Sequence, residues 1–591
     1  MTAERFVIYP VNHRPMRALF LLATGTSCWL IGAERAQAFP LTDALTPSIL
    51  APQATSIGEP TDLTSQIGPA GVFSGVPDPG WTFTPRVGLQ TAYNSNVNAT
   101  HSNPRWDWVN YLTAGLTVRA NTDKVTGQFD YAPTMGIYAR TPNLNNLAQN
   151  FSGNGSITFV QDLLYMDVRG FAGVQPRNGT GFGATGVGTG SSLTGLPPNQ
   201  MNQTASFGVT PYLMHRFDEY GTGKIGYSLS GSNSRPVTGF GTLPFIGTSS
   251  SSVPTSSLTP AQQAQLNQSG FLNQNNLFNQ NSSQITNQEV AQFQSGELLG
   301  RFNNLTILSG SQYSGSSSIN NGYNYTASNQ LGYAVTRQIT LFGLIGYEDI
   351  QYQGAPQTNI NDMIWQVGTT LTPNADSTIT LGYGHQYGTD SFQANAAYQV
   401  TPRLRVNVAY TTGIGNGLTQ LQNNVAVSDV NQYGYQVNAL TGAPLFNAAG
   451  LSGSNNNLYR TKTLTGGVTL NLDRDVFSAS VFVSEQQLLA SSQAISGATT
   501  NTTSTTGTAT WTHELWPSLT SIVSGTYTTQ PSQSSAISGT QTTVSANLTF
   551  QYQFNPTLTG SAQYAYYERS SPVTFLSFTQ NVFLLGLTKT F

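Results

Sequence analysis

Residues 544–554 read VSANLTFQYQF, an alternation of apolar and polar side chains. Successive side chains on a strand point to opposite faces, so this segment has one apolar face and one polar face. The same pattern recurs at 81–93, 112–118 and 379–383. A soluble β-sandwich would give the same alternation in any single strand. The pattern therefore predicts strands, and the choice between a sandwich and a barrel depends on how these strands are connected.

The connections between the predicted strands alternate in length. Short polar turns are expected at 121–124, 161–163, 217–221, 303–304, 336–338, 373–376, 401–403, 473–475, 515–518 and 555–557. Longer links are expected at 94–107, 176–201, 233–287, 414–457 and 488–502. This asymmetry is typical of a barrel with one end in the periplasm, and closure leaves no strand edge exposed to lipid. We predict an all-β, transmembrane, antiparallel up-and-down β-barrel over residues 81–591, with about 22 strands (range about 16–24).

The composition agrees with a membrane-embedded sheet. Charged residues make up 8% of the 591 residues, against roughly 25% in soluble proteins. After the first 40 residues no apolar run reaches the roughly 18 residues of a membrane helix. A net charge of −3 gives no reason to expect nucleic acid as a partner. Intrinsic disorder is the alternative for a chain rich in Asn, Gln and Ser, and the regular alternation argues against it.

The N-terminus predicts export. Arg14 and Arg17 precede an apolar stretch at 18–33, and Ala-Gln-Ala at 36–38 resembles a cleavage site. We predict a signal peptide over 1–38. A lipoprotein signal cut before Cys28 is the alternative, but the apolar run continues past that cysteine. Residues 39–80 contain seven prolines, which oppose regular structure and predict a periplasmic or lumenal segment.

The C-terminus predicts the assembly route. Residues 583–591 read FLLGLTKTF, an alternating strand that ends on the aromatic Phe591. Such an ending resembles the signal that barrel-assembly machinery reads in outer-membrane proteins. We predict Phe591 as the assembly signal, the cell outer membrane as the location, and outer-membrane lipid and lipopolysaccharide as the surroundings.

The start of the predicted barrel resembles a known family. Residues 84–97, TPRVGLQTAYNSNV, read as a strand followed by a polar loop, and FDYAP at 129–133 and a hairpin at 150–171 follow. These segments are similar to the outer-membrane β-barrel porins associated with exopolysaccharide and PEP-CTERM export systems. The resemblance implies an outer-membrane location and a link to polysaccharide or to export-system components as partners. It transfers no functional residues.

Catalytic and metal-binding patterns are absent from the sequence. After signal cleavage four histidines would remain, and none belongs to an H-x-x-x-H pair or accompanies a G-x-S-x-G elbow. We therefore predict no enzyme activity, no cofactor and no metal. His385 is expected at the membrane interface and His513 in a structural role. The two others are His101 and His215.

Charged residues at inward positions form the candidate site. Arginine at the bilayer midplane costs roughly 2–4 kcal/mol, and Asp or Glu less, so such residues belong in the lumen. They predict a pore lining that selects solutes, or alternatively salt bridges that stiffen the wall. The remaining Asn, Gln, Ser, Thr and Tyr of the lining suit uncharged sugars. The candidate pore-lining residues are Arg86, Arg119, Asp130, Asp167, Arg169, Arg301, Glu348 and Arg405.

A plug is also expected. Residues 261–290 contain 15 Asn or Gln residues and a single charge, Glu289, which predicts an outer loop. Barrels of about 22 strands are usually plugged, so the loop 233–287 or the segment 39–80 is a candidate plug; surface display of the loop is the alternative. Two functions stay open. One is a pore, for diffusion or for exopolysaccharide export, and the other is a structural or adhesive barrel.

Overall fold

The computed structural model describes residues 80–176, 197–237, 281–316, 318–354, 356–426, 428–430, 436–438, 457–490, 501–531, 539–572 and 574–591. The predicted signal peptide, nearly all of the 39–80 segment and most of the loop 233–287 lie outside these residues. No helix in the described part of the chain is long and apolar enough to cross a membrane.

Twenty-four strands form one antiparallel sheet, and two short strands form a separate hairpin. The first half of the chain contains β1 (Gly80–Asn94), β2 (Asp107–Asn121), β3 (Val125–Tyr131), β4 (Thr134–Tyr138), β5 (Asn146–Ala148), β6 (Phe151–Val160), β7 (Leu164–Pro176), β8 (Met201–Arg216), β9 (Gly221–Pro236), β10 (Ser282–Ser295), β11 (Phe302–Gly315), β12 (Tyr323–Ala334) and β13 (Ile339–Tyr352). The second half contains β14 (Thr358–Leu371), β15 (Thr378–Gln386), β16 (Thr389–Thr401), β17 (Leu404–Gly415), α1 (Gly417–Ala426), β18 (Ser428–Val430), β19 (Gln436–Asn438), β20 (Leu458–Asn471), β21 (Asp475–Ala490), β22 (Asn501–Trp516), β23 (Leu519–Pro531), β24 (Thr540–Asn555), β25 (Leu558–Ser570) and β26 (Phe578–Thr590).

The sheet closes on itself. β1 pairs antiparallel with β26 from Arg86 to Asn94, and with β2 along its whole length. β3 and β4 both pair with β2 and occupy one position of the barrel, and β5 and β6 share the next. The fold is therefore a closed barrel of 22 strands, an all-β up-and-down barrel of the outer-membrane type. This confirms the fold predicted from the sequence.

The break between β3 and β4 has a local cause. Pro133 stands between the two strands and has no N–H to donate to the ladder. Its carbonyl still accepts a hydrogen bond from the Ala114 amide at 3.3 Å, and the Ala132 amide donates to Asn150 at 2.8 Å. The proline thus interrupts the strand without opening the wall.

The predicted alternation of faces is confirmed in β24. Ser545, Asn547 and Thr549 are buried on the inward face, while Phe550 and Phe554 are exposed on the outward face. Other strands expose aliphatic side chains outward, and aromatic side chains are exposed beside the short turns, as in an apolar band flanked by aromatic residues. The aliphatic set includes Leu112, Leu116, Ile225, Leu308, Leu331, Ile345, Val367 and Leu585, and the aromatic set includes Phe217, Tyr220, Phe302, Trp516, Phe554 and Phe591.

Nine of the ten predicted short turns agree with the structure, whereas the longer connections differ in several places. The turn expected at 303–304 is wrong, because β10 ends at Ser295 and β11 begins at Phe302, so residues 296–301 form the connection. Gly300, with φ of 61°, supplies the left-handed conformation that this turn needs. The sequence suggested 303–304 because Asn-Asn is common in turns.

The second difference concerns the loop 233–287. β9 extends to Pro236 and β10 begins at Ser282, so strands occupy both ends of the expected loop. Glu289 consequently lies in β10, exposed between the outward Ile285 and Phe293, instead of in an outer loop.

The third difference is a tight turn at the long-loop end. β15 and β16 are joined by Tyr387 and Gly388 alone, with φ of 58° and 64°. Two consecutive positive φ values are the geometry of a two-residue hairpin whose twist matches that of the strands.

Candidate functional site: the inner wall of the barrel

Arg86 and Asp130 form a salt bridge on the inward face. The Arg86 Nη2 lies 2.7 Å from the Asp130 Oδ1, and the Arg86 Nη1 donates to the Thr117 Oγ1 at 2.7 Å. The arginine lies across Gly115, where an added Cβ would come within 2.7 Å of its Nε. These contacts join β1, β2 and β3, so Arg86 is held against the inner wall by neighbouring strands.

A lateral row of four inward residues crosses β2, β3, β6 and β7. Arg119 is opposite Gln128 in the register, and its Nε donates to the Gln128 Oε1 at 3.2 Å. Gln128 is in turn opposite Asn154. Asn154 is opposite Arg169. We call Arg119, Gln128, Asn154 and Arg169 the arginine row.

A second carboxylate lies next to this row. Asp167 is the inward residue that precedes Arg169 on β7, and both Arg169 and Lys224 act on it electrostatically. The Lys224 Nζ lies 4.9 Å from the ring centroid of Tyr212. With Arg86 and Asp130, the described inward residues of this part of the wall include four cations and two carboxylates. The cations are Arg86, Arg119, Arg169 and Lys224, and the carboxylates are Asp130 and Asp167.

The helix α1 lies inside the barrel. The Gln422 Oε1 accepts hydrogen bonds from the Gln284 Nε2 at 3.1 Å and the Thr286 Oγ1 at 2.8 Å. Gln284 and Thr286 are on the inward face of β10, because Ile285 between them is exposed outward. The helix also lies beside β7, β8 and β9. It starts just after β17, so this segment leaves its own strand and crosses the lumen to the wall formed by β7–β10.

The sequence of α1 explains both its start and its docking. The Asn416 side chain accepts a hydrogen bond from the Thr419 amide at 2.8 Å, which caps the first turn. Leu421 and Val425 are buried and pack against Phe171 of β7. Phe171 is the next inward residue after Arg169, so α1 covers the wall immediately beside the arginine row. A helix within the longer link predicted at 414–457 was not expected, although Leu418, Leu421 and Val425 have helical spacing.

Glu348 lies on the inward face of β13 but is fully buried. Its Oε1 accepts a hydrogen bond from the Gly388 amide at 3.3 Å. The Arg460 Nη2 donates to the Tyr387 carbonyl at 2.7 Å. Tyr387 packs in a cluster with Tyr313 and other inward residues, and burial raises the pKa of its hydroxyl. Glu348 therefore holds the β15–β16 turn and does not line open lumen.

The two remaining predicted residues are Arg301 and Arg405. Arg301 lies in the 296–301 turn and is exposed, so the expected position on a strand is corrected. The turn prediction at 303–304 had placed it on the preceding strand. Arg405 lies on β17 two residues before the buried Asn407, on the same inward face.

Part of the inner wall is apolar, unlike the uniformly polar lining expected from the sequence. Ala92, Ala565 and Leu584 are buried on inward faces of β1, β25 and β26, with Tyr567 and Phe578 in the same cluster. The signal was present in residues 582–585, VFLL, where both faces of β26 are apolar.

Two histidines on strands, His385 and His513, bond to carboxylates. The His385 Nε2 lies 2.9 Å from Asp362 and its Nδ1 lies 2.6 Å from Asp390. The His513 Nδ1 lies 2.7 Å from Asp475, which also accepts a hydrogen bond from the Trp511 indole. Over the described ranges, no group of three or more His, Cys, Asp or Glu side chains is arranged to hold a metal ion.

The sequence matches no protein-family model and no curated protein. Solved structures with a similar fold include the siderophore receptor PirA from Acinetobacter baumannii, at 9% identity and a TM-score of 0.42, covering 86% of this chain and 80% of that chain. The FrpB iron transporter from Neisseria meningitidis (F5-1 variant) matches at 10% identity and a TM-score of 0.44, covering 87% and 83%. The ferric-catecholate import receptor Fiu from E. coli K12, closed form, matches at 10% identity and a TM-score of 0.43, covering 86% of this chain and 81% of that chain. At such identities and TM-scores, what these proteins transport is not transferred to this chain.

Proposed function

We propose that the protein is an outer-membrane channel for polar solutes. The observation that carries this proposal is the position of α1, which lies inside the barrel beside the charged arginine row. A passage beside this helix would be lined by fixed charges and amides, an arrangement that would discriminate among solutes that pass it. In a purely structural barrel such charges would serve as salt bridges, whereas Arg119 and Arg169 lie opposite the amide side chains of Gln128 and Asn154 in the register.

Carbohydrate is the proposed class of cargo. Away from the charges the inward faces carry mainly hydroxyl and amide side chains, which form hydrogen bonds with sugar hydroxyls. The resemblance of residues 84–97 to porins of exopolysaccharide export supports a polymer as a second cargo. Export of exopolysaccharide and diffusion of neutral sugars are both included in the proposal, and the protein is proposed to act without catalysis.

The proposed route to the membrane follows from the two termini. A signal peptide at 1–38 would direct export, and residues 39–80 would remain as a periplasmic or lumenal segment. Barrel-assembly machinery would recognise the C-terminal strand that ends at Phe591. The assembled barrel would stand in the outer membrane among lipopolysaccharide. The proposed lining comprises Arg86, Arg119, Asp130, Asp167, Arg169 and Arg405.

Conductance of the purified full-length protein in planar bilayers tests this proposal. We expect stepwise current at low voltage, and partial block by maltooligosaccharides added to one side. Heat-denatured protein, identified by its changed gel mobility, is the matched control. Absence of current from correctly folded protein would overturn the channel proposal in favour of the structural or adhesive barrel.

A further inference from the structure

We infer that the arginine row is a binding site for oxyanions, so that the lumen prefers solutes carrying carboxylate or phosphate groups over neutral ones. This inference rests on the proposed channel function and names its substrate class: acidic saccharides, such as uronate oligomers or sugar phosphates.

The geometry of the row suits an extended acidic saccharide. Arg119 and Arg169 lie in one lateral row with two strands between them. Three strand spacings of about 4.8 Å separate their backbones by about 14 Å along the wall. A guanidinium binds carboxylate or phosphate oxygens in two parallel hydrogen bonds. The amides of Gln128 and Asn154 between them can both donate to and accept from sugar hydroxyls.

The charge around the row is positive. Asp130 forms a salt bridge with Arg86 at 2.7 Å and also interacts electrostatically with Arg119, while both Arg169 and Lys224 act electrostatically on Asp167. Among the described inward residues of this part of the wall, the cations outnumber the carboxylates by two. A wall stiffened by salt bridges alone would be expected to balance its charges.

The helix strengthens the effect of these charges. α1 packs on Phe171, the inward neighbour of Arg169, so a solute that passes the row also passes the helix. Within a passage narrowed by low-dielectric protein, the field of fixed charges is focused and raises the local concentration of the opposite ion. The row is therefore placed where its charge has the largest influence on what enters.

Reversal potentials in a KCl gradient test the inference on the reconstituted full-length protein. We expect the channel to prefer chloride over potassium. The double variant R119Q/R169Q should lower that preference by roughly threefold to tenfold, because removing two charges from the wall changes a potential of several kT. Arg403→Gln is the matched control, since Arg403 lies in an exposed short turn and pairs with Asp473 of the neighbouring short turn. Heat-modified gel mobility shows that each variant has assembled.

Block of the current identifies the ligand chemistry. Three compounds serve as blockers: oligogalacturonate carries carboxylates, glucose 6-phosphate carries a phosphate, and maltooligosaccharide is uncharged. We expect the two anions to block at lower concentration than the neutral sugar, and R119Q/R169Q to remove that difference. A preference shared by both anions indicates oxyanion recognition, and a preference for one of them identifies the group.

The outcomes separate this inference from the channel proposal. A conducting channel whose selectivity is unchanged by R119Q/R169Q, or which prefers cations, overturns the inference and leaves the channel proposal intact. If the protein does not conduct, calorimetric titration with oligogalacturonate in detergent decides the matter. Binding that is lost in the double variant supports the site without transport, and absence of binding overturns it.

Discussion

Glu348 of β13 and Arg460 of β20 bind opposite sides of one turn: Glu348 accepts from the Gly388 amide at 3.3 Å, and Arg460 donates to the Tyr387 carbonyl at 2.7 Å. Four strands of the barrel, β14–β17, separate β13 from β20. The two charges also interact with each other across the turn. This turn is therefore a cross-link between distant parts of the wall at the long-loop end.

A double-mutant cycle on Glu348 and Arg460 tests this cross-link. We expect E348Q and R460M to couple by about 1–3 kcal/mol in the free energy of unfolding, because both partners bind one turn whose Tyr387 is buried. The Arg403–Asp473 pair, whose side chains are 58% and 85% exposed, is the control and should couple by about 0–1 kcal/mol. Urea unfolding in micelles, followed by tryptophan fluorescence, measures both. Equal coupling in the two pairs would show that the turn does not join β13 to β20.

Release of α1 from the wall should enlarge the passage. L421A/V425A removes the side chains that pack on Phe171, and a helix of ten residues is not stable by itself in water. We expect a higher single-channel conductance and earlier entry of large sugars in liposome swelling. Leu585→Ala, which shortens an outward side chain, is the matched control. Conductance equal to that of the unmodified protein would mean that α1 does not limit the passage.

Glu289 is exposed near the middle of β10 on the outward face, opposite Tyr227 and Gly310. A carboxyl group in contact with lipid destabilises the barrel, so Glu289→Leu should raise the free energy of unfolding by about 1–2 kcal/mol. Ala291→Leu, two residues along the same face, should have little effect. Unfolding in lipid vesicles measures both variants. A loss of stability in Glu289→Leu would instead indicate that another protein covers this face.

The C-terminal Phe591 is 69% exposed, and its amide donates to the Pro85 carbonyl at 2.9 Å. Its side chain has little packing to lose, so deletion should affect assembly more than stability. We expect less heat-modifiable barrel in the outer-membrane fraction, with a nearly unchanged free energy of unfolding for the protein that does assemble. Phe591→Tyr is the matched control and should assemble normally. Full assembly of the deletion variant would remove the proposed signal role.

Alternation predicted the barrel because one rule, apolar outward and polar inward, governs most of its strands. Thr549 is inward and Phe550 outward in β24, as residues 544–554 indicated. The rule also placed Arg86, Arg119, Asp130, Asp167 and Arg169 on one inner wall. Their grouping into a salt bridge and a lateral row depends on register between strands, which no single segment specifies.

The features that were missed depend on contacts between distant segments. Glu348 looked like a pore residue by alternation, yet it is enclosed by a turn 40 residues later in the chain. The helix α1 is too short to be stable alone, and its partners Phe171 and Gln284 are far away in sequence. The inward residues of β26 are apolar, contrary to the rule of polar side chains inward, because they pack on each other and do not face water.

The closing pair of strands also determines how the barrel can form. β1 and β26 meet from Arg86 to Asn94, with Asn94 opposite Val582, so this ladder joins the two ends of the barrel sequence. The entropy cost of closing a loop rises with the length of chain between the contacts, and contacts of large sequence separation form slowly. Every hairpin can therefore form before this seam does. Until this seam closes, β1 and β26 each present an unpaired edge. Two incomplete copies can join edge to edge during that interval, so slow closure of the seam increases the chance of such pairing.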